Sequence, residues 1–357
     1  MRDSAREKLL NRIGSADGYP ELRRLRDQAH ERMESLLSSM PVEQFYTAIN
    51  EIHDALIRRV LILTESDMAR QGNGSPPVPY AYLLFGSGGR EEQTLSSDQD
   101  SGIVYEDPPQ EEELEQVRDY FAKYGELTVE NLQKVGYPPC EGNVISSNRL
   151  WCDSLSAWKS KLDGWFDRAE FEEVRYLLIV ADGRRVYGEE SLFTSYKDHF
   201  FSDTLAKPRI VKRMLDNTMR HKVLLGLFGQ LLKEQYGEQA GSVDIKYGAY
   251  IPMVNAIRMM AIQSGVRSTS TLQRIEELEA AGAVTEEQSS ALQDAFRSFL
   301  RFRLMTMKQD EDGLYSSNGM LSRQKLDKTL TEQLKQGLRV GKRLQRSVSR
   351  RVTGKLR

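Results

Sequence analysis

The sequence predicts an α+β fold, a small α/β domain flanked by an N-terminal helical region and a C-terminal helical bundle. Three observations predict it. Apolar residues recur at helical spacing over residues 1–71. At Tyr80 the period changes, and short apolar runs take the place of stripes. From about Thr204 onward the pattern is almost wholly helical. These set expected domain limits of 1–78, 79–203 and 204–357.

Each element follows from its own signal. Leu22, Leu25, Ala29, Met33 and Leu36–Leu37 form one apolar stripe. Phe45, Ile49, Ile52, Ala55, Leu56 and Val60 form a second, and Pro41 sits near its start, where a missing N–H costs little. The segment GNGSPPVP (72–79) is a turn or linker by composition. Tyr80 to Phe85 is a strand ended by Gly86-Ser87-Gly88-Gly89, and Ser101 to Tyr105 is a second strand. Residues 110–135 are acidic and helical, with Gly136 and Pro138-Pro139 as the stop signal. Leu155, Trp158, Leu162 and Trp165-Phe166 mark a further amphipathic helix. The run Tyr176 to Ala181 reads as a third apolar strand closed by Asp182-Gly183. Val243-Asp-Ile-Lys246 interrupts the helical pattern that follows. No internal repeat or low-complexity tract appears.

The composition is that of an ordinary globular chain, 39% hydrophobic and 29% charged. No run approaches the ~18 apolar residues of a membrane span. The start, MRDSAREKLLNRIG, lacks the apolar core of a secretory signal. The two cysteines, Cys140 and Cys152, form no CxxC motif, which argues against zinc and fits a reducing compartment. The expected location is the cytoplasm, with no membrane partner. Of 50 Lys/Arg and 52 Asp/Glu, twelve basic residues fall after Ser322 against only Asp327 and Glu332, leaving 38 basic and 50 acidic elsewhere. Leu326, Leu330, Leu334 and Leu338 recur there at helical spacing, so a solvated basic helix face is the expected reading. No aromatic follows Tyr315 to stack on bases, so nucleic acid is not an expected partner.

The chemistry concentrates in Leu84 to Asp100. A strand runs into a glycine-rich turn that contains one small hydroxyl, Ser87. Without Cβ atoms the backbone can approach a phosphate and aim its N–H groups at it. No Lys-Ser or Lys-Thr follows, and Glu91 fills the third glycine position of GxGxxG, so neither familiar phosphate loop is present. Just downstream stands Asp98-Gln99-Asp100. If Gln99 opens the second strand, carboxylates two residues apart share a face and point toward the turn. Their mutual repulsion is relieved by a divalent cation, and Mg²⁺ is commonly shared between one or two carboxylates and substrate phosphates. Such a site suits phosphoryl or nucleotidyl transfer. Asp182 is the candidate third carboxylate, although Asp182-Gly183 also reads as a plain turn. Arg90 and Arg184 are candidates for a triphosphate or for structural ion pairs.

This arrangement resembles the nucleotidyltransferase superfamily typified by DNA polymerase β, with Gly-Ser, a spacer, Asp-x-Asp and a later carboxylate. More closely, Gly86-Ser87-x-Gly89-Arg90-x-Glu92-Gln93 with Ser97-Asp98-x-Asp100 is similar to a family of bacterial signal-transduction nucleotidyltransferases related to the protein-PII uridylyltransferases. The likeness continues through Gly136-Tyr137-Pro138, Cys140-x-Gly142-Asn143-Val144, Trp151, Trp158-Lys159 and Asp182-x-Arg184-x-Val186-Tyr187-Gly188. Val243-Asp-Ile-Lys246, Pro252, Arg258, Ser270-Thr271-Leu272-x-Arg274 and Ala295-Phe296 resemble the family's C-terminal helical substrate-binding domain. The resemblance spans roughly residues 20–350. Glu141 stands where a proline is usual and Gly183 where a bulky aromatic is usual. CBS domains, often fused in this family, are absent from the sequence.

The resemblance implies a polymerase β-like domain that moves a nucleoside monophosphate from a nucleoside triphosphate to an acceptor hydroxyl. It implies Asp98, Asp100 and Asp182 as catalytic and metal-binding residues, and Gly86, Ser87 and Arg90 as nucleotide-binding residues. Mg²⁺ is the implied cofactor, with Mn²⁺ as a substitute, and the acceptor is expected on a regulatory protein. The alternative is a catalytically inactive nucleotide-sensing or scaffolding protein, against which stands the retention of all three acids.

Overall fold

In the computed structural model the described residues are 3–206, 208–219, 221–226, 229–237 and 239–354. They form two compact units. The first comprises Met1–Gly164 with Asp182–Phe200, the second Trp165–Ala181 with Phe201–Arg357. The architecture is α+β, and among the described residues no helix is long and apolar enough to cross a membrane.

The first unit opens with helices α1 (Asp3–Gly14), α2 (Tyr19–Leu36) and α3 (Val42–Arg70). The apolar stripes read from the sequence are the buried faces: Leu22, Leu25 and Met33 on α2, and Phe45, Ile49, Ile52, Leu56 and Val60 on α3. Strand β1 (Tyr80–Leu84) runs into a single helical turn, α4 (Gly86–Gly89). Strand β2 (Ser101–Tyr105) returns antiparallel to it, pairing Tyr80 with Tyr105 and Leu84 with Ser101. Every residue of both strands is buried, which accounts for their continuous apolar character in place of an alternating one.

Helix α5 (Leu114–Val135) ends at Gly136, whose φ of 104° is left-handed as a helix C-cap requires. It packs on α2, α3 and strand β3 (Cys152–Ser154). Gly125 on α5 admits the loop that precedes β3, because a Cβ there would lie 2.4 Å from the Ser146 carbonyl oxygen. Helix α6 (Leu155–Arg168) follows, and the division between the units falls within it.

Residues Phe171–Ala181 are helix α7, which corrects the expected strand at 176–181. Val174, Leu177, Leu178, Val180 and Ala181 are buried, while Glu172, Glu173 and Arg175 of its first turns are not. A continuous apolar run of this length has the same periodicity as a buried strand. The strand of this region begins later, at β4 (Arg184–Gly188), antiparallel to β1 with Leu84 opposite Arg184. The sheet order is β3-β2-β1-β4, with β3 parallel to β2. Helix α8 (Glu190–Ala206) follows β4.

In the second unit α9 (Pro208–Thr218) packs on α7, α10 and α13, where α10 is Ile251–Gln263 and α13 is Lys328–Gly354. Helices α11 (Thr271–Ala280) and α12 (Glu286–Met305) complete the bundle. The N-terminus of α12 is set by a capping box between Thr285 and Gln288. Val243–Asp244 is a short strand, and Lys246–Tyr250 is a π-helical turn leading into α10. Along α13, Leu334, Leu338, Leu344 and Val348 are buried, while Arg339, Arg343, Arg346 and Arg350 are exposed. Lys355 and Arg357 lie outside the described residues, as does the side chain of Arg351.

Candidate nucleotide site at the glycine turn

The turn after β1 takes its shape from what surrounds it. Gly86 has a φ of +52°, and a Cβ there would lie 2.1 Å from Asp100 Oδ2, so the Asp100 carboxylate sits directly over the Gly86 backbone. A Cβ on Gly89 would meet the Asp182 carbonyl oxygen at 2.0 Å and that of Leu84 at 2.8 Å. Only glycine admits both approaches. Gly89 N–H bonds the Phe85 carbonyl (2.7 Å) and Arg90 N–H that of Gly86 (3.2 Å). Among the described residues no backbone acceptor takes the N–H of Ser87 or Gly88. These amides and the half-buried Ser87 hydroxyl are the groups of the turn left for a ligand.

Asp98 and Asp100 lie in the loop before β2, not within the strand, which begins at Ser101. Strand alternation, from which a shared face was expected, therefore does not set the direction of these two side chains; the loop is held by its own hydrogen bonds. Phe85 N–H bonds the Asp100 carbonyl (2.9 Å), and Gln99 N–H bonds that of Pro138 (2.9 Å). The Gln99 amide donates to the Val129 (3.0 Å) and Tyr137 (2.7 Å) carbonyls, pinning the residue between the two aspartates. Asp98 is exposed and Asp100 half-buried. Both line a small cavity of ≈ 10 Å³ with Gly88, Gln93 and Gln99, about the room of one water molecule.

Cys140, which sequence reasoning valued only as part of a family pattern, reaches this site. Its thiol lies close enough to Asp100 to feel the carboxylate's charge, and it accepts from Gly142 N–H at 3.3 Å. Burial, and then the charge of Asp100, push it up to about 12, so it stands as a neutral thiol.

Asp182 follows α7 directly and is buried behind the turn. Its Oδ2 accepts from Arg90 Nη1 at 2.7 Å, and Arg90 Nε donates to Glu92 at 2.9 Å, with all three side chains at 6% exposure or less. Asp98 and Asp100 are thus brought to the turn on one side, while Asp182 is engaged by Arg90. Among the described residues no group of three or more His, Cys, Asp or Glu side chains is assembled in a way that would hold a metal ion.

Arg184, at the start of β4, makes a two-pronged ion pair with Asp54 of α3, at 2.8 Å from Nη1 and 2.9 Å from Nη2. Nη2 also donates to the Gly88 carbonyl at 2.9 Å. The same face of α3 supports the loop after the turn. The Asn50 side chain accepts from Gln93 N–H (3.1 Å), and His53 Nε2 donates to the Thr94 carbonyl (2.9 Å). With Nε2 the donor, Nδ1 accepts from the Tyr137 hydroxyl at 2.8 Å, so the imidazole is neutral. Burial first, then the charge of Arg26, lower His53 to about 4. Asn50, His53 and Asp54 fall three and four apart on one helix face. That spacing is present in the sequence, where the three polar residues interleave with the apolar stripe of α3.

A glycine turn with open amides, faced by a carboxylate loop from the neighbouring strand, is the constellation of a nucleotidyltransferase. Comparison of the sequence with known families agrees. Residues 27–172 match the family described as Putative nucleotidyltransferase DUF294, and residues 208–352 match the domain described as Putative nucleotidyltransferase substrate binding domain. The chain belongs to this family. No curated protein matches it. Asp182 and Arg184 lie between the two matched stretches.

Proposed function

We propose that this protein transfers a nucleoside monophosphate from a nucleoside triphosphate to an acceptor hydroxyl, the new ester forming at the α-phosphorus as the α–β anhydride breaks and pyrophosphate leaves, with Mg²⁺ as its cofactor and Mn²⁺ as a substitute. The observation that carries the reading is the Asp100 carboxylate lying over Gly86, at a turn whose next two amides have no backbone acceptor among the described residues. The residues fit the cation: Asp98 and Asp100 offer the hard oxygens Mg²⁺ takes, in the number it shares with substrate phosphates. When bound, the cation supplies charge neutralisation to the phosphates.

The chain's own groups do the rest. Ser87 and Gly88 N–H donate to phosphate oxygens, and the turn's rigid surroundings fix their direction. Gln99, bonded to three backbone carbonyls, holds the two aspartates in place. Asp182 and Arg90 contribute as a buried pair behind the turn, with Arg90 also held by Glu92. The helical region after α8 is assigned to the acceptor, in keeping with the described role of the matched domain. By likeness to the protein-PII uridylyltransferases, that acceptor is a hydroxyl side chain on a regulatory protein, and UTP or ATP is the donor.

The test is transfer of label from α-phosphate-labelled ATP, UTP, GTP and CTP to macromolecules of a cell extract, with Mg²⁺ present. The reading predicts covalent label with one or two nucleotides, lost on chelation and lost in Asp98→Asn/Asp100→Asn. Equal labelling by that double variant contradicts it.

A further inference from the structure

We infer that Arg184 and Asp54 form a positioning clamp that sets the glycine turn for nucleotide binding. This rests on the reading of that turn as the phosphate seat. The sequence left Arg184 as a cation for the triphosphate or for an ion pair, and the geometry assigns it the second role with a consequence for the first. Its guanidinium fork is closed on both oxygens of Asp54, at 2.8 and 2.9 Å. The remaining Nη2 hydrogen goes to the Gly88 carbonyl at 2.9 Å. One planar group thus ties α3, β4 and the turn together.

The carbonyl of Gly88 and its N–H belong to adjacent peptide planes of a single helical turn, so fixing one restrains the other. That N–H is one of the two proposed phosphate donors. The clamp is itself braced. Arg58, one turn beyond Asp54, donates to Asp54 Oδ2 at 3.2 Å and to the Val186 carbonyl of β4 at 2.8 Å. Asp54 side-chain exposure is 10% and that of Arg184 is 16%, so water competes weakly for these bonds. Glycine lets the turn approach Asp100 and Asp182, but it also leaves the turn free to relax. A fixed hydrogen bond to its midpoint removes that freedom before a ligand arrives, which lowers the entropy lost on binding. Lysine cannot replace the arginine, because a single ammonium does not reproduce a fork that spans two carboxylate oxygens and a carbonyl.

The experiment is calorimetric titration of Mg·ATP and Mg·UTP into the full-length wild type, Arg184→Met, Arg184→Lys, Asp54→Asn and Asp54→Asn/Arg184→Met. Each is held well below its own unfolding midpoint, with circular dichroism to confirm folding. The clamp predicts that Arg184→Met and Asp54→Asn each weaken nucleotide binding roughly ten- to a hundredfold. It predicts that the double variant is no weaker than the worse single one, and that Arg184→Lys fails to restore binding. A purely structural ion pair would lower the unfolding midpoint and leave the affinity of the folded protein unchanged, and that result overturns the inference. If Arg184→Met does not fold, Arg184→Lys keeps the buried charge and carries the same prediction. Wild type that binds no nucleotide overturns the phosphate-seat reading and the clamp with it. Wild type that binds while folded Arg184→Met or Arg184→Lys binds equally well overturns the clamp alone.

Discussion

Acidification should loosen the loop that carries the two aspartates, and His53 gives the size of the effect. The side chain is fully buried, donates to the Thr94 carbonyl and faces Arg26, His30, Asp54 and Tyr137. Its folded-state value is lowered from 6.5 to about 4, by burial and then by Arg26. The unfolded chain therefore binds a proton below about pH 6.5 that the folded chain refuses until near pH 4, so stability falls as pH falls through that window. At about 1.4 kcal/mol per pH unit the loss is roughly 2 kcal/mol at pH 5 and roughly 3 kcal/mol at pH 4. His30, also lowered by burial and stacked edge-on against His53 at 5.3 Å, adds to the loss with the same sign. The assay is urea unfolding of wild type and His53→Gln across that range. Gln keeps a donor and an acceptor but does not titrate there. The stability gap between wild type and variant should narrow by about 3 kcal/mol from pH 7 to pH 4. A gap that stays constant would refute the reasoning, since other acid-labile groups act equally in both proteins.

Gly86→Ala and Gly89→Ala should part company. The first strains a left-handed backbone by about 1–2 kcal/mol and pushes aside the Asp100 carboxylate, so binding should suffer more than folding. The second drives a Cβ into two backbone carbonyls, and its unfolding midpoint should drop by far more. Asp182→Asn leaves Arg90 short of a buried partner and should cost about 3–5 kcal/mol in unfolding experiments, whereas exposed Asp98→Asn should cost within about 0.5 kcal/mol. Cys152, half-buried, its thiol set against the Phe121 carbonyl and pushed up to about 12, should react more slowly with iodoacetamide at pH 8 in the native protein than after urea unfolds it, as mass spectrometry would record.

Local signals carried most of the fold. Gly136 ends α5 because a left-handed C-cap needs glycine, and the period change at Tyr80 marks β1. What failed was the apolar run at 176–181, where six apolar residues in succession leave no polar position to set a period. Strand β3, only Cys152–Ser154, is defined by parallel pairing to β2 across about fifty residues, for which no local pattern exists. The turn and its two aspartates were legible because glycine and acid spacing are local. The destinations of Arg90, Arg184 and Cys140 were not, since each depends on a partner brought by another element: Asp182, Asp54 and Asp100.

The most direct test is calorimetric titration of ATP, UTP, GTP and CTP, with and without Mg²⁺, into wild type and Asp98→Asn/Asp100→Asn. Binding of at least one triphosphate that requires Mg²⁺ and disappears in the double variant is the predicted result. Folded wild type that binds no triphosphate, or a double variant that binds as well as wild type, would contradict the account and favour a scaffolding role for this fold.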